Sequence, residues 1–452
     1  MSSPARKIAA EVLLRVEEGG AFANLALDSA LRSAGVLEPR EAALATELVY
    51  GTLRWQLELD RAIAAHSDRP PDQLDKPVRT ALRLATFELL HHSRVPERAA
   101  VNEGVELVKD LGAARATGFV NAVLRRISKT RTAPPPPSRE IDPAGHVAAL
   151  TAHPRWLVER WIAWLGLEET ELLCRANQEQ APAVVRVVRG TGDQARAALE
   201  RSGQTMVPGR YSPDALVLGH GAPPALDLEG HDEGFFQAQD EAAQLVSLYA
   251  APAVGSRVLD ACAAPGGKSC HLAELVGPTG SVVAVDLHAR KAQIITQAAR
   301  RLGLLNVEAR AADATAPLPG EPPGSFDAVL IDAPCSGLGT MRRHPEVKLR
   351  RTSADIDRLA ILQRALLDQC AQSVKPGGLL VFSLCTITPE ECDETLARFL
   401  AAQPSFHLER PPMGWALPAA ESCLDARGRL VTLPHRTGTD GFFAARLRKD
   451  AT

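Results

Sequence analysis

Val258-Leu259-Asp260-Ala261-Cys262-Ala263-Ala264-Pro265-Gly266-Gly267-Lys268 sets the architecture of the C-terminal half. A short apolar run enters a turn built of small residues, and a helix carrying Leu272 and Leu275 is expected beyond it. Small side chains let a ligand approach the backbone, and free amides at a helix start suit an anionic group such as a carboxylate. From about residue 236 onward, further apolar runs at 282–285, 328–331 and 379–382 alternate with helical stretches. That alternation predicts a mostly parallel, doubly wound α/β sheet of the Rossmann-like kind, with a ligand crevice at the carboxyl ends of its strands.

Working toward the N-terminus, a small mixed α+β region is expected over residues 141–235. It contains a Trp-bearing helical stretch at 153–164, strands near 184–188 and 214–218, and a helix at 193–201. Before it, Ala133-Pro134-Pro135-Pro136-Pro137-Ser138 lies in a linker, drawn at 133–140, because consecutive prolines favour extended geometry. Residues 1–132 read as all-α: Ile8, Val12 and Val16 recur every four residues, and Phe119, Val120, Val123, Leu124 and Ile127 form another one-sided stripe. The sheet domain is drawn at 236–450. The chain of 452 residues is thus expected to be multidomain, in line with roughly 100 to 200 residues per domain.

With 45% hydrophobic and 23% charged residues, the composition is that of a soluble globular protein. The eight cysteines include no Cys-x-x-Cys pair, so neither a metal site nor a disulfide framework is expected, and a reducing cytoplasm is the simplest home. The start, MSSPARKIAA, is followed by an amphipathic pattern rather than a signal core, and no run reaches the ~18 apolar residues of a membrane span. The net charge of −3 favours no partner, yet basic residues cluster. Arg115, Arg125, Arg126, Lys129, Arg131 and Arg139 occupy an acid-free stretch, and Arg342, Arg343, Lys348, Arg350 and Arg351 form a second group. Such clusters suit an anionic polymer, with solvated helix faces as the alternative.

Two carboxylates accompany the small-residue turn. Asp286 closes the second strand, where it can accept hydrogen bonds from both hydroxyls of a ribose, and Asp313 follows the third, placed for the amine of an adenine. A dinucleotide oxidoreductase is the obvious competitor, but no G-x-G-x-x-G is present to admit a pyrophosphate. The set favours a nucleoside without phosphates, with S-adenosylmethionine as the expected cofactor.

Two further strand ends carry thiols. Asp332-Ala333-Pro334-Cys335 follows one apolar run and Ser383-Leu384-Cys385 another, so both cysteines can face one substrate. A lone cysteine is more often an inert buried side chain; two in this arrangement suit covalent chemistry on cytosine. Carbon 5 of that base is a weak nucleophile until a thiolate adds to carbon 6, and an acid at ring nitrogen 3 disperses the charge. A free thiol ionises only at about pH 8.5, so a nearby positive group, Lys268 or the cofactor's sulfonium, is expected to help activate it.

These motifs resemble the Sun family of RNA 5-methylcytosine methyltransferases, and nearly the whole chain is similar to its bacterial members acting on small-subunit ribosomal RNA. The resemblance is carried by Val49-Tyr50-Gly51-Thr52-Leu53-Arg54, by residues 119–126, by Gln239-Asp240-Glu241-Ala242, by the turn at 260–268, by residues 342–348, and by Asp440-Gly441-Phe442-Phe443. It implies a NusB-like helical domain, a small RNA-binding domain and a class I methyltransferase domain. It also implies that Cys385 is the nucleophile, that Cys335 assists product release and that Asp332 contacts the base. Cofactor contacts carried over are Cys262, Ala263, Ala264, Pro265, Gly266, Gly267, Lys268, Asp286, Asp313 and Asp332. RNA is the implied partner, with cytosine 967 of 16S ribosomal RNA the implied target and a monomer the implied state. Leu384 departs from the family, which usually has Thr before the cysteine. A transfer RNA enzyme and a non-catalytic ribosome-assembly factor are the alternatives. A DNA cytosine enzyme would use the Pro-Cys cysteine as nucleophile and carry a Glu-Asn-Val element, which is absent nearby.

Overall fold

A computed structural model describes residues 2–92 and 95–451. The chain forms two compact units, Met1–Glu179 with Met341–Arg350, and Gln180–Thr340 with Arg351–Thr452.

The first unit is helical: α1 (Pro4–Gly19), α2 (Ala23–Ser33), α3 (Pro39–His66), α4 (Lys76–His91), α5 (Glu97–Asp110), α6 (Thr117–Thr130), α7 (Pro143–Leu150), α8 (Arg155–Leu165) and α9 (Leu167–Asn177). α1 opens on Pro4 at its first turn and stops at Gly20, whose φ of 63° satisfies the left-handed cap. Its Ile8, Val12 and Val16 join Val120, Val123, Leu124 and Ile127 of α6 in one apolar core. α3 and α4 approach closely because residue 51 is glycine: a Cβ there would sit 2.0 Å from the Phe87 ring.

The segment Met341–Arg350, with the short helix Val347–Arg350, packs within this unit. Here the second basic group departs from the expectation of an open patch. Arg342 and Lys348 are buried, and Arg350 donates to the carbonyls of Val16 and Gly20. Lys348 Nζ donates to the Arg54 carbonyl at 2.9 Å and to Gln178 Oε1 at 3.4 Å. Burial, with the Arg54 guanidinium nearby, pushes its ammonium down to about 7. Unfolded, the same lysine titrates near 10.4. Between those values the unfolded chain binds the extra proton, so this group adds stability as pH rises, by up to about 1.4 kcal/mol per pH unit. Chemical denaturation of the full chain and of Lys348→Met from about pH 7 to about pH 9.5 should show the wild type gaining on the variant as pH rises. A pH-independent gap would contradict this.

The second unit contains two sheets. Strands β1 (Val184–Val187), β2 (Met206–Pro208), β3 (Ala215–Leu218) and β4 (Phe236–Ala238) form an antiparallel sheet in the order β2-β3-β1-β4, with helix α10 (Gly192–Arg201). The larger sheet has β5 (Arg257–Asp260), β6 (Ser281–Asp286), β7 (Val307–Ala311), β8 (Phe326–Asp332), β9 (Val374–Leu384), β10 (Phe406–Leu408), β11 (Leu430–Thr432) and β12 (Phe442–Lys449). Its order is β10-β12-β9-β8-β5-β6-β7, with β11 on β12. Strands β5 to β9 are parallel, as expected, whereas β12 runs antiparallel to β9.

Side chains alternate across this sheet. Leu259, Val283, Val329 and Leu380 pack on Leu366 and Leu367 of α13 (Ser353–Ser373). Val258, Val282, Ala328 and Leu379 pack instead with Leu245 of α11 (Glu241–Ala250) and Leu272 of α12 (Gly267–Val276). Burial on both faces explains why these strands read as continuous apolar runs. It also places the carboxyl ends of β5, β6, β7, β8 and β9 along one edge. No helix of the described residues is long and apolar enough to cross a membrane.

Candidate active site

The loop between β5 and α12 forms the first wall of the crevice at this edge. Gly266 adopts φ 106°, and a Cβ there would lie 3.3 Å from the Ile295 backbone, so glycine is required. Asp260 is fully buried at the end of β5 and accepts from Ser269 Oγ at 2.6 Å. Desolvation pushes its carboxyl up to about 7. At the end of β6, Asp286 accepts from the backbone amides of Ala264 at 3.4 Å and His288 at 3.3 Å, with Lys291 Nζ at 3.5 Å. Two residues past β7, Asp313 is exposed and held by Thr315 through its hydroxyl at 2.6 Å and its amide at 2.8 Å, which keep its carboxyl below the ordinary value. Carboxylates at successive strand ends supply acceptors for hydroxyl and amine donors, the chemistry a nucleoside presents.

The second wall carries the thiols. Register pairs Asp332 of β8 with Ser383 of β9, so the residues that follow both strands emerge together. Cys335 Sγ and Cys385 Sγ lie 3.3 Å apart. Beside them, Lys268 Nζ donates to Asp332 Oδ2 at 2.7 Å, and Ser383 Oγ donates to Asp332 Oδ1 at 3.0 Å. Burial opposes the Lys268 ammonium, but the charge and hydrogen bond of Asp332 prevail, followed by the charge of Cys385, and raise it above its ordinary value. Lys268 therefore stays cationic and stabilises anions around it. The Cys335 thiol is pushed well up by its hydrogen bond with Cys385, then by burial and by the charges of Cys385 and Glu391. Burial likewise raises the Cys262 thiol.

Lys268, Asp332, Cys335 and Cys385 thus meet in one place, with Asp286 and Asp313 at neighbouring strand ends. Leu384 points elsewhere: it is fully buried in the apolar layer below the sheet, between Ser383 and Cys385, which face the crevice. Sequence reasoning missed Ser383, and it missed Glu391, a fully buried carboxylate that binds the residue after Cys335. Neither carries a periodic or spacing signal; only strand register and the turn after β9 bring them in.

Among the described residues no group of histidines, cysteines and carboxylates could hold a metal ion. In the first unit, Arg115, Arg125 and Lys129 of the first basic group are exposed.

A family model of 16S rRNA methyltransferase RsmB/F matches residues 247–448. A NusB family model matches residues 3–129, and one of an RsmF/B-like ferredoxin-like domain matches residues 153–223. The probable ribosomal RNA small subunit methyltransferase B of Bacillus subtilis is 37% identical over 449 residues, covering 98% of each chain. The ribosomal RNA small subunit methyltransferase B of Pseudomonas syringae is 36% identical, covering 99% of this chain and 97% of that one. The crystal structure of PH0851 superposes over 99% of this chain and 100% of its own, with a TM-score of 0.84 and 28% identity. NSun6 from Pyrococcus horikoshii with SFG shares the fold at 20% identity, with a TM-score of 0.58 over 67% of this chain and 100% of that one.

Proposed function

The chain belongs to the 16S rRNA methyltransferase RsmB/F family, and from that membership we propose that it methylates carbon 5 of a cytosine in small-subunit ribosomal RNA through a covalent bond from Cys385. It is an S-adenosylmethionine-dependent RNA methyltransferase. S-adenosylmethionine supplies an electrophilic methyl group on a sulfonium. Residues 262–268, Asp286, Asp313 and Asp332 hold it.

The observation that carries this reading is the thiol pair 3.3 Å apart beside the Lys268–Asp332 pair. Cys385 thiolate adds to carbon 6 of the cytosine, forming a sulfur–carbon bond, while Asp332 hydrogen-bonds ring nitrogen 3. Electron density reaches carbon 5, which takes the methyl group. The proton on carbon 5 then leaves with help from Cys335, the Cys385 sulfur–carbon bond breaks, and the ring double bond returns. Lys268 stabilises the thiolate and keeps Asp332 in place. The finer target is cytosine 967, and the enzyme acts in the cytoplasm as a monomer, with residues 1–132 and 141–235 as RNA-binding regions ahead of the catalytic 236–450.

Incubation with methyl-labelled S-adenosylmethionine and a 16S RNA transcript, followed by digestion to nucleosides, tests this. All label is expected in 5-methylcytidine; label in a ribose-methylated or N4-methylated nucleoside would overturn it.

The exposed cations of α6 serve RNA capture. Replacing Arg125, Arg126 and Lys129 together by Gln should weaken RNA binding and flatten the plot of log affinity against log salt, by roughly 0.7 to 0.9 for each phosphate that the variant leaves unneutralised. Affinity for S-adenosylmethionine should not change. An unaltered salt slope would count against this role.

A further inference from the structure

We propose that Glu391 is a positioning residue of the reaction, whose buried carboxylate locks the two thiol loops together and thereby helps set which sulfur attacks. The inference rests on the covalent reading above.

Glu391 is fully buried in a π-helical turn, Glu390–Glu394, beyond β9. A buried carboxylate is costly unless donors surround it, and it then fixes those donors firmly. Its Oε1 accepts from the Ser336 amide at 2.8 Å and from Gln363 Nε2 at 3.0 Å. Its Oε2 accepts from the hydroxyls of Ser336 at 2.5 Å, Thr388 at 2.7 Å and Thr386 at 3.4 Å. Ser336 follows Cys335 and Thr386 follows Cys385, and the two hydroxyls lie 2.6 Å apart. Gln363 also donates to the Pro334 carbonyl at 3.0 Å. One carboxylate therefore gathers the backbone on both sides of Cys335 and the residue after Cys385. π-turns place side chains where a regular helix would not.

The same carboxylate is a fixed negative charge. The groups facing Cys335 are Cys385, Glu391 and Arg351, which donates to the carbonyls of Ser336 and Cys335, while Lys268 of the Lys268–Asp332 pair feels Cys385. Lys268 feels the charge of Cys385, and Glu391 acts on Cys335. One sulfur has the cation and the other the anion. Cys385 is then the sulfur that attacks, with Cys335 3.3 Å away for the later step.

The test alkylates the full-length protein, without RNA, with iodoacetamide over a pH series, and follows each cysteine by peptide mass spectrometry. In the wild type Cys385 should react at least about tenfold faster than Cys335 near neutral pH. Glu391→Gln should bring the two rates to within about threefold and move the Cys335 profile down by about one pH unit, while kcat falls at least about tenfold at unchanged KM for S-adenosylmethionine. Glu391→Asp keeps the charge but loses reach, so it should preserve thiol selectivity while lowering kcat. Should Glu391→Gln fail to fold, the Glu391→Asp profile still decides, because lost selectivity there overturns the charge assignment. Wild-type rates and kcat in Glu391→Gln, or identical profiles in both variants, would also overturn the proposal. Failure of the covalent reading would appear separately, as methyl transfer surviving in Cys385→Ala.

Discussion

Alanine at position 385 is expected to lower methyl transfer by at least about 10⁴-fold and to remove every covalent protein–RNA complex, because it removes the sulfur proposed to add to carbon 6. Alanine at position 335 is expected to behave in the opposite way on a denaturing gel. The thiolate still adds and the methyl group still moves, but the carbon 5 proton is not removed efficiently, so the enzyme stalls as a slow-migrating RNA complex after about one turnover. The two sulfurs lie 3.3 Å apart, and geometry alone would let either attack. Their surroundings separate them: Lys268 feels the charge of Cys385, whereas the hydrogen bond with Cys385, then burial and the charges of Cys385 and Glu391, act against ionisation of Cys335. A complex that accumulates in Cys385→Ala and is absent in Cys335→Ala would reverse the roles. No complex with any variant, together with no methyl transfer by the wild type, would favour an assembly factor.

A second pronounced loss is expected at Asp332. Asparagine there should reduce single-turnover methyl transfer about 10²- to 10⁴-fold, because it removes the carboxyl group proposed to contact ring nitrogen 3 as charge builds on the base. It also leaves Lys268 buried without its partner 2.7 Å away, which costs stability. The double variant Lys268→Met with Asp332→Asn removes that cost and is expected to recover the thermal midpoint without recovering the rate. Recovery of both would reduce Asp332 to a structural partner of the lysine.

The parallel strands were legible because both faces are buried, so Val258-Leu259 and Leu379–Phe382 stand out as unbroken apolar runs. The crevice was legible for a related reason, since residues that end such strands share one edge whatever their distance in sequence. β12 was harder to see. Phe442 and Phe443 carried a motif, but Arg446 and Arg448 look like surface residues, although Arg446 is buried against the carbonyl of Arg410. The second basic group misled in the same way. Charge at Arg342 and Lys348 suggests solvent or RNA, yet both are buried, Lys348 donating to the Arg54 carbonyl and the Arg342 carbonyl accepting from the Arg54 guanidinium, which no local pattern announces. Glu391 was hidden because a buried carboxylate and a solvated one look alike in sequence; its hydroxyl donors come from two segments far apart in the chain, Ser336 and the turn of Thr386 and Thr388.

The proposed bond between Cys385 and carbon 6 of an RNA cytosine can be tested by trapping. In RNA carrying 5-fluorocytidine, carbon 5 has no proton to release after methylation, so the covalent complex cannot resolve. Digestion and mass spectrometry of the trapped complex are predicted to show the methylated fluorocytidine attached to Cys385, in an S-adenosylmethionine-dependent manner. Attachment at Cys335, or no covalent complex while unsubstituted RNA is methylated normally, would refute that bond.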